Sequence, residues 1–247
     1  MPSTAASYAP ELLAAAFAIA VAAGLVRGIT GFGGAMVMTP PLALLFSPIL
    51  AVPVALLLES LAAAPMLVHT RRQVRWRAVG PILATACLTL PLGGYVLVTA
   101  DPQVLRRAIA AIVIVFSILL LLGWRYAGRQ RVPTSIGIGA LSGVMAGATS
   151  MGGPPVILYL LSGPDPVEIT RANLTLFVGA TSLAGIIVLW AAGVLGVSAA
   201  WTGLLLAPGY YVGLIAGTRA FARFNDARFR RFTLLLLVAV SSGILIA

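Results

Sequence analysis

Arg27 and Glu59 are the two residues of this chain with the most chemistry in the least polar surroundings. Each lies inside a long apolar run, and Arg27 is followed four residues later by Gly31-Phe32-Gly33-Gly34. A second break of the same kind, Ser150-Met151-Gly152-Gly153-Pro154-Pro155, comes directly after Thr149. A guanidinium attracts an anion, and a carboxylate can take up a proton or act as a gate. Glycines let an anion approach backbone N–H groups closely, and the hydroxyls of Thr30, Thr149 and Ser150 add donors at the same place. These residue types describe a pocket for a compact anion. Ser150 invites a hydrolase reading, but a serine nucleophile needs a nearby general base. The one histidine, His69, sits at the end of its apolar run beside Arg71 and Arg72. No Cys/His cluster has metal-ligand spacing. No catalytic residue, metal or cofactor is therefore expected.

The elements that must position these groups are set by composition. Apolar residues make up 60% of the 247-residue chain and charged residues only 9%, against roughly a quarter charged in a soluble domain. All 16 basic residues are arginine, and the net charge is +10. They fall in short runs between apolar segments, the pattern of cytoplasmic loops in a lipid-embedded chain rather than of a nucleic-acid-binding stripe. The single cysteine, Cys87, lies in an apolar segment and reads as packing. Leu12 to Val26 is apolar enough for a signal peptide, but Glu11 rather than a basic residue precedes it, so it is expected in the mature chain.

Eight apolar stretches are legible, at about Leu12–Phe46, Ile49–Val68, Val79–Val98, Leu105–Trp124, Thr134–Leu161, Ile169–Trp190, Ala199–Phe221 and Phe229–Ile246. Six have the length of one span. The first and fifth, as unbroken helices, would reach about 52 Å and about 42 Å, against a hydrocarbon core of about 30 Å. Both are interrupted by the glycine-rich breaks. They predict re-entrant hairpins, each of two half-helices meeting at mid-membrane.

The two breaks are one motif used twice. Gly24 to Gly34, GLVRGITGFGG, recurs as Gly143 to Gly153, GVMAGATSMGG, at a constant offset of 119 residues. The match continues more loosely, with Glu59-Ser60-Leu61 on Thr181-Ser182-Leu183 and Gly94 on Gly217. The expected organisation is a first repeat over residues 1–124, a cytoplasmic linker over 125–133 and a second repeat over 134–247. Charge orients them. Counting both long stretches as hairpins puts the loop with Arg71, Arg72, Arg75 and Arg77 on the same side as Arg125, Arg129 and Arg131 and the loop with Arg219, Arg223, Arg228, Arg230 and Arg231, as the positive-inside rule asks. Each repeat then has one hairpin and three crossings, so the repeats are inverted and both termini are periplasmic. Arg106 and Arg107 are the misfit, to be accommodated by snorkelling. The fold class is thus an all-α polytopic membrane protein of two inverted-topology repeats.

Inverted repeats would point the N-termini of the outgoing half-helices, at Gly33-Gly34 and Gly152-Gly153, toward each other. Each end carries roughly +0.5 charge and free N–H groups. The expected substrate-binding residues are Arg27, Thr30, Gly31, Phe32, Gly33, Gly34, Thr149, Ser150, Met151, Gly152 and Gly153, with Glu59 for coupling or gating. Arg27 at mid-stretch costs at least about 2.5–3.5 kcal/mol to insert, so either an anion or Glu59 must compensate it; a purely structural Arg27–Glu59 pair is the bland alternative. Gly24, Gly28, Gly139, Gly143 and Gly147 have small-xxx-small spacing and read as packing. Asp101 and Asn225-Asp226 read as helix N-caps. Asp165, Glu168 and Arg171 read as a capped link, and Asn173 as a cavity candidate.

The paired glycine segments, the two-half layout and the RRQVRWR loop at Arg71–Arg77 resemble the TauE/SafE family, the sulfite exporters, over essentially the whole chain. The resemblance implies a multi-pass inner-membrane exporter of small anions such as sulfite, sulfoacetate and related sulfonates. Its expected partners are the anion, the lipid bilayer and, for coupling, protons, with a homo-oligomer compatible and no nucleic acid. The second half reads GGPP (Gly152 to Pro155) where the first reads GGAM (Gly33 to Met36), and Thr181 stands where the first half has Glu59. A short carboxylate such as lactate or pyruvate remains open as cargo, and an intramembrane hydrolase is the remote alternative.

Overall fold

The computed structural model describes residues 10–124, 126, 128, 130–163 and 165–221. Arg125, Arg129, Arg223, Arg228, Arg230, Arg231, the Asn225-Asp226 cap, the Phe229–Ile246 stretch and both terminal ends lie outside them. The described residues are helical throughout, with no strand. In chain order the helices are α1 (Pro10–Thr30), α2 (Gly34–Leu45), α3 (Pro48–Thr70), α4 (Trp76–Thr99), α5 (Pro102–Leu121), α6 (Val132–Thr149), α7 (Gly153–Leu160), α8 (Val167–Ala191) and α9 (Val197–Phe221). Seven are long and apolar enough to cross a membrane, and α2 and α7 are the short ones. The chain is a polytopic helical membrane protein.

Local chemistry sets the helix starts. Ser47 caps α3, its hydroxyl accepting from Leu50 N at 3.3 Å, with Pro48 in the first turn. Asp101 caps α5 as expected, its carboxylate accepting from Gln103 N and Val104 N at 2.8 and 3.2 Å. Trp76, Trp124, Trp190 and Trp201 are exposed near helix ends, where amphipathic rings meet a membrane interface.

Both glycine breaks fold the chain back on itself. Tyr159 Oη, near the end of α7, lies 2.8 Å from Ser135 Oγ in the first turn of α6, and Gln130 Nε2 donates to Tyr159 O at 2.9 Å. The chain therefore leaves this hairpin beside the point where it entered. In the first hairpin Gly34 lies against Arg27 Cβ, two turns back along α1. The arms differ from the expected pair of half-helices. The first arms have 21 and 18 residues, each enough to cross a membrane, and the return arms have 12 and 8. The long arms are supported along their length by a parallel neighbour.

That support is backbone on backbone. A Cβ on Gly24 would fall 2.0 Å from Tyr210 O, and one on Gly28 would fall 2.4 Å from Leu214 O, so α1 runs parallel to α9. Likewise Cβ atoms on Gly143 and Gly147 would fall 2.2 Å from Ala86 O and Leu90 O, so α6 runs parallel to α4. Each long arm is thus packed on a helix from the other half of the chain. α3 and α8 cross antiparallel, Gly179 meeting Ala63 and Gly185 meeting Leu56. α3 runs with α9, through Leu57 against Gly203 and Tyr211 Oη on Leu61 O. α4 runs with α8, through Arg75 N to Asn173 Oδ1 and Gly94 against Val188. So α1, α3 and α9 point one way and α4, α6 and α8 the other, and helices at matching places in the two halves are antiparallel.

Arg106 has a definite role rather than a snorkelling one. Its Nε donates to Ala43 O at 2.9 Å and its Nη2 reaches Phe46 O at 3.5 Å. It caps the C-terminal end of α2, where carbonyls are unpaired and positive charge is favoured. The Arg71–Gln73 turn, the Gln130–Arg131 segment and the turn before α8 gather at one end of the bundle, where Arg75 Nη1 pairs with Asp165 Oδ1.

The close contacts generate a paired test on α6. Gly143→Ala places a methyl into Ala86 O, and overpacking of this kind costs about 1–3 kcal/mol. Gly137, on the same helix, has nothing within 4 Å of its would-be Cβ. Gly143→Ala should lower the unfolding midpoint in detergent, and Gly137→Ala should leave it unchanged or raise it.

Candidate functional site

The first break is built by its threonine and glycines. α1 ends at Thr30, whose hydroxyl donates to Val26 O at 2.8 Å and accepts from Phe32 N at 3.2 Å. Gly31 and Gly33 take φ of 79° and 83°, the left-handed region that ends a helix without Cβ strain. The second break repeats the device. Thr149 Oγ1 donates to Met145 O at 2.7 Å and accepts from Met151 N at 3.4 Å, and Ser150 adopts φ 61° where the first break has glycine. A side chain held there is mildly strained. Thr149 thus directs its hydroxyl hydrogen to its own helix, and Thr30 directs its own to Val26 O or to Phe32 O across the turn, a turn-forming role in both cases.

The two breaks meet. Ser150 Oγ lies 2.7 Å from Thr39 Oγ1 of α2, and the would-be Cβ of Gly153 lies 4.0 Å from Phe32 Cβ. Phe32 and Met151 are buried beside them, and Gly152 backs onto Ser142 O and Phe177. The expected residues of both breaks are therefore brought together. Among the described residues, no hydrogen-bond partner of Ser150 is a base.

Arg27 and Glu59 are 0% and 1% exposed, and Arg27 Nε lies 2.9 Å from Glu59 Oε2. Neither atom completes a directional hydrogen bond across that gap, so the contact is one of charge. Glu59 Oε1 accepts from Ala35 N at 2.8 Å and from Tyr210 Oη at 3.1 Å. Ala35 is in the first turn of α2, so the helix end expected to receive an anion holds the protein's own carboxylate. Gly34 makes room for it: a Cβ there would lie 2.3 Å from Glu59 Oε1 and 2.4 Å from Tyr210 Oη. Arg27 is less satisfied. Its Nη1 and Nη2 are buried with no hydrogen-bond partner among the described residues. A buried guanidinium lacking partners for both terminal nitrogens is a costly arrangement.

The second break is different in charge. Thr181, which stands where the first half has Glu59, turns its hydroxyl back to Phe177 O at 2.7 Å. Pro154 and Pro155 remove two of the first N–H groups of α7, so this helix end offers fewer donors than the doubled motif implied. The charged chemistry gathers at the first break.

Sequence reasoning missed two contributors. Tyr210 has no signal beyond being a tyrosine in an apolar run, and only burial reveals that its hydroxyl needs a partner. Arg171 was expected to cap its own link. It lies at the start of the second turn of α8, donates through Nη2 to Gly28 O in the last turn of α1, and its Cγ would be 2.5 Å from a Cβ on Gly31. It caps, but it caps α1. Asn173 is fully buried and accepts from Arg75 N at 2.8 Å. Among the described residues, no group of three His, Cys, Asp or Glu is placed to hold a metal.

Tyr210→Phe tests the carboxylate's surroundings. It removes one donor from a buried charge, and hydrogen bonds to charged groups contribute about 1.5–3 kcal/mol. Thermal unfolding in detergent should register a loss of that size, with secondary structure at low temperature unchanged.

The family model for the sulfite exporter TauE/SafE matches residues 16–244, spanning both hairpins and the Arg27–Glu59 pair. Comparison with curated proteins and with solved structures gives no match. With the match covering nearly the whole chain, this multi-pass membrane protein belongs to the TauE/SafE sulfite exporter family.

Proposed function

We propose that the chain exports a small oxyanion, sulfite or a sulfonate, across the inner membrane by alternating access, with Arg27 as the charge partner of the anion. The observation that supports this most is the buried Arg27 guanidinium, whose terminal nitrogens have no hydrogen-bond partner among the described residues. Glu59 is the resident counter-ion. It holds the place of an anion on Arg27, on the α2 N-terminus and on Tyr210. An arriving anion replaces it, and a proton taken up by the displaced carboxylate gives the coupling. Arg27, Tyr210 and the α2 end are the charged or polar groups bonded to Glu59 among the described residues. The Thr39–Ser150 contact, one hydroxyl pair between the two hairpins, is the junction that a rocking motion of one repeat against the other has to break. The repeats are those of residues 1–124 and 134–247, with the arginine-rich end cytoplasmic and both termini periplasmic.

A short carboxylate is the second reading, and one observation favours it: a carboxylate group already sits on this set of donors. Flux into proteoliposomes of sulfite and sulfoacetate against lactate and pyruvate, with and without a pH gradient, separates the two.

The roles of Arg27 and Glu59 separate in the same vesicles. Removing either partner of a buried pair leaves the other charge alone and costs about 3–5 kcal/mol, so Arg27→Gln and Glu59→Gln should each lower the melting temperature. Joint replacement should restore much of that stability but not transport. Glu59→Gln alone should bind the anion and lose the pH-gradient dependence of flux. Full flux in the double variant would reject both roles and leave a structural pair.

Gly153→Ala probes the second break with a small change: apart from its chain neighbours the added methyl meets nothing closer than Val178 at 3.6 Å, and the first helical position before Pro154 adds only a local backbone cost. It should fold as the parent does. If the anion approaches the Gly153 backbone, flux should fall at least about tenfold, the kinetic equivalent of about 1.4 kcal/mol. Parental flux would confine the site to the first break.

A further inference from the structure

At the arginine-rich end of the bundle a cavity of about 580 Å³ lies between the two halves of the chain. Arg75, Trp76 and Arg77 come from the start of α4, Arg131 from the residue before α6, Tyr159 from the end of α7, and Asp165 from the turn before α8. Three guanidinium groups and one carboxylate leave a formal surplus of two positive charges among these lining residues. Asp165 already neutralises Arg75. Arg77 and Arg131 have no ion-pair partner among the described residues. The parallel packing of α4 on α6 also brings their N-terminal ends side by side at this cavity, and neither end has a side-chain cap. Confinement between protein walls strengthens such a field relative to an open surface, raising the local concentration of anions. The wall on the far side is the Ser135–Tyr159 pair that closes the second hairpin, so the cavity adjoins the element that carries the second break.

We infer that this cavity is a second binding site for the transported oxyanion, which it collects on Arg77 and Arg131 and on Arg75 once Asp165 is displaced. The inference rests on the transport reading and adds to it a loading site distinct from Arg27. It makes the two ends of the path alike in principle, since in both places a carboxylate of the protein sits on an arginine until an anion takes its place. Because the site collects rather than translocates, it governs the apparent affinity from this side and not the turnover.

The experiment measures initial sulfite flux from the arginine-rich side, in inverted membrane vesicles, over a range of sulfite and salt concentrations. The variant Arg77→Gln with Arg131→Gln should raise KM by roughly tenfold, as loss of electrostatic collection does, with maximal flux unchanged and the salt dependence flattened. Asp165→Asn should lower KM severalfold. A parental KM in both variants overturns the site. Proteoliposomes of phosphatidylcholine alone, compared with ones containing phosphatidylglycerol, identify the occupant. If the KM difference appears only with the anionic lipid, the cavity holds a lipid headgroup and the inference fails. Trp76 supplies a readout independent of flux, in protein whose other three tryptophans, Trp124, Trp190 and Trp201, are replaced by Phe. Sulfite should change its fluorescence saturably in that background and not once Arg77 and Arg131 are also changed. Absence of flux in the unaltered chain would refute the transport reading, whereas absence of a fluorescence change refutes this site.

Discussion

A helix broken inside an apolar slab exposes two dipole ends of opposite sign where no water can reach them, and the arrangement around α1 and α2 follows from that. The C-terminal end of α1 is negative and receives Arg27 in its last turn and Arg171 from α8. The N-terminal end of α2 is positive and receives Glu59. The C-terminal end of α2 receives Arg106. Each charge that seems misplaced in an apolar chain sits on a helix end that favours its sign. The Arg27–Glu59 contact is therefore more than an ion pair. It joins the two stumps of the broken helix, and Tyr210 ties that junction to α9.

The second break is handled without charge. Pro154 and Pro155 have no N–H to leave unpaired, and the Thr149 hydroxyl turns back on its own helix. One scaffold motif thus has two electrostatic solutions. The glycines turn the chain at both breaks, though Gly33 takes φ 83° where Gly152 takes −80°, and Arg27 and Glu59, standing where the second half has Ala146 and Thr181, make the first break the ionic one. The two hairpins are thus alike in layout and unlike in charge, with the buried ion pair at the first break alone among the described residues.

Much of this was legible in the residues. The breaks, the doubled motif and the need of Arg27 for a compensating partner follow from spacing and from the expense of an ion in lipid. The glycines at 24, 28, 139, 143 and 147 show their packing role through their four-residue period. What spacing cannot carry is partnership between distant helices. Arg106 was a misfit to a charge rule, because its acceptors Ala43 and Phe46 carry no sequence signal. Tyr210 and Arg171 were missed for the same reason. The glycines of the first break were read as open to a ligand, but Gly34 gives its space to Glu59. The unequal hairpin arms also escaped the sequence, since the length of α1 depends on α9, its support from the other half of the chain.

The exchange of long arms between halves has a consequence for how the chain is made. α1 is made long before the backbone it packs against, around Tyr210 and Leu214, which is nearly the last of the described chain to emerge. At about 5–20 residues per second, synthesis takes roughly ten to forty seconds to cover that gap. During this interval Gly24 and Gly28 lack the backbone they pack on in the finished structure, so the first half is incomplete as a packing unit. α6, by contrast, follows α4 almost at once and can pack on arrival. A truncation before α9 would therefore orphan the helix that carries Arg27, while leaving the α4–α6 contact intact.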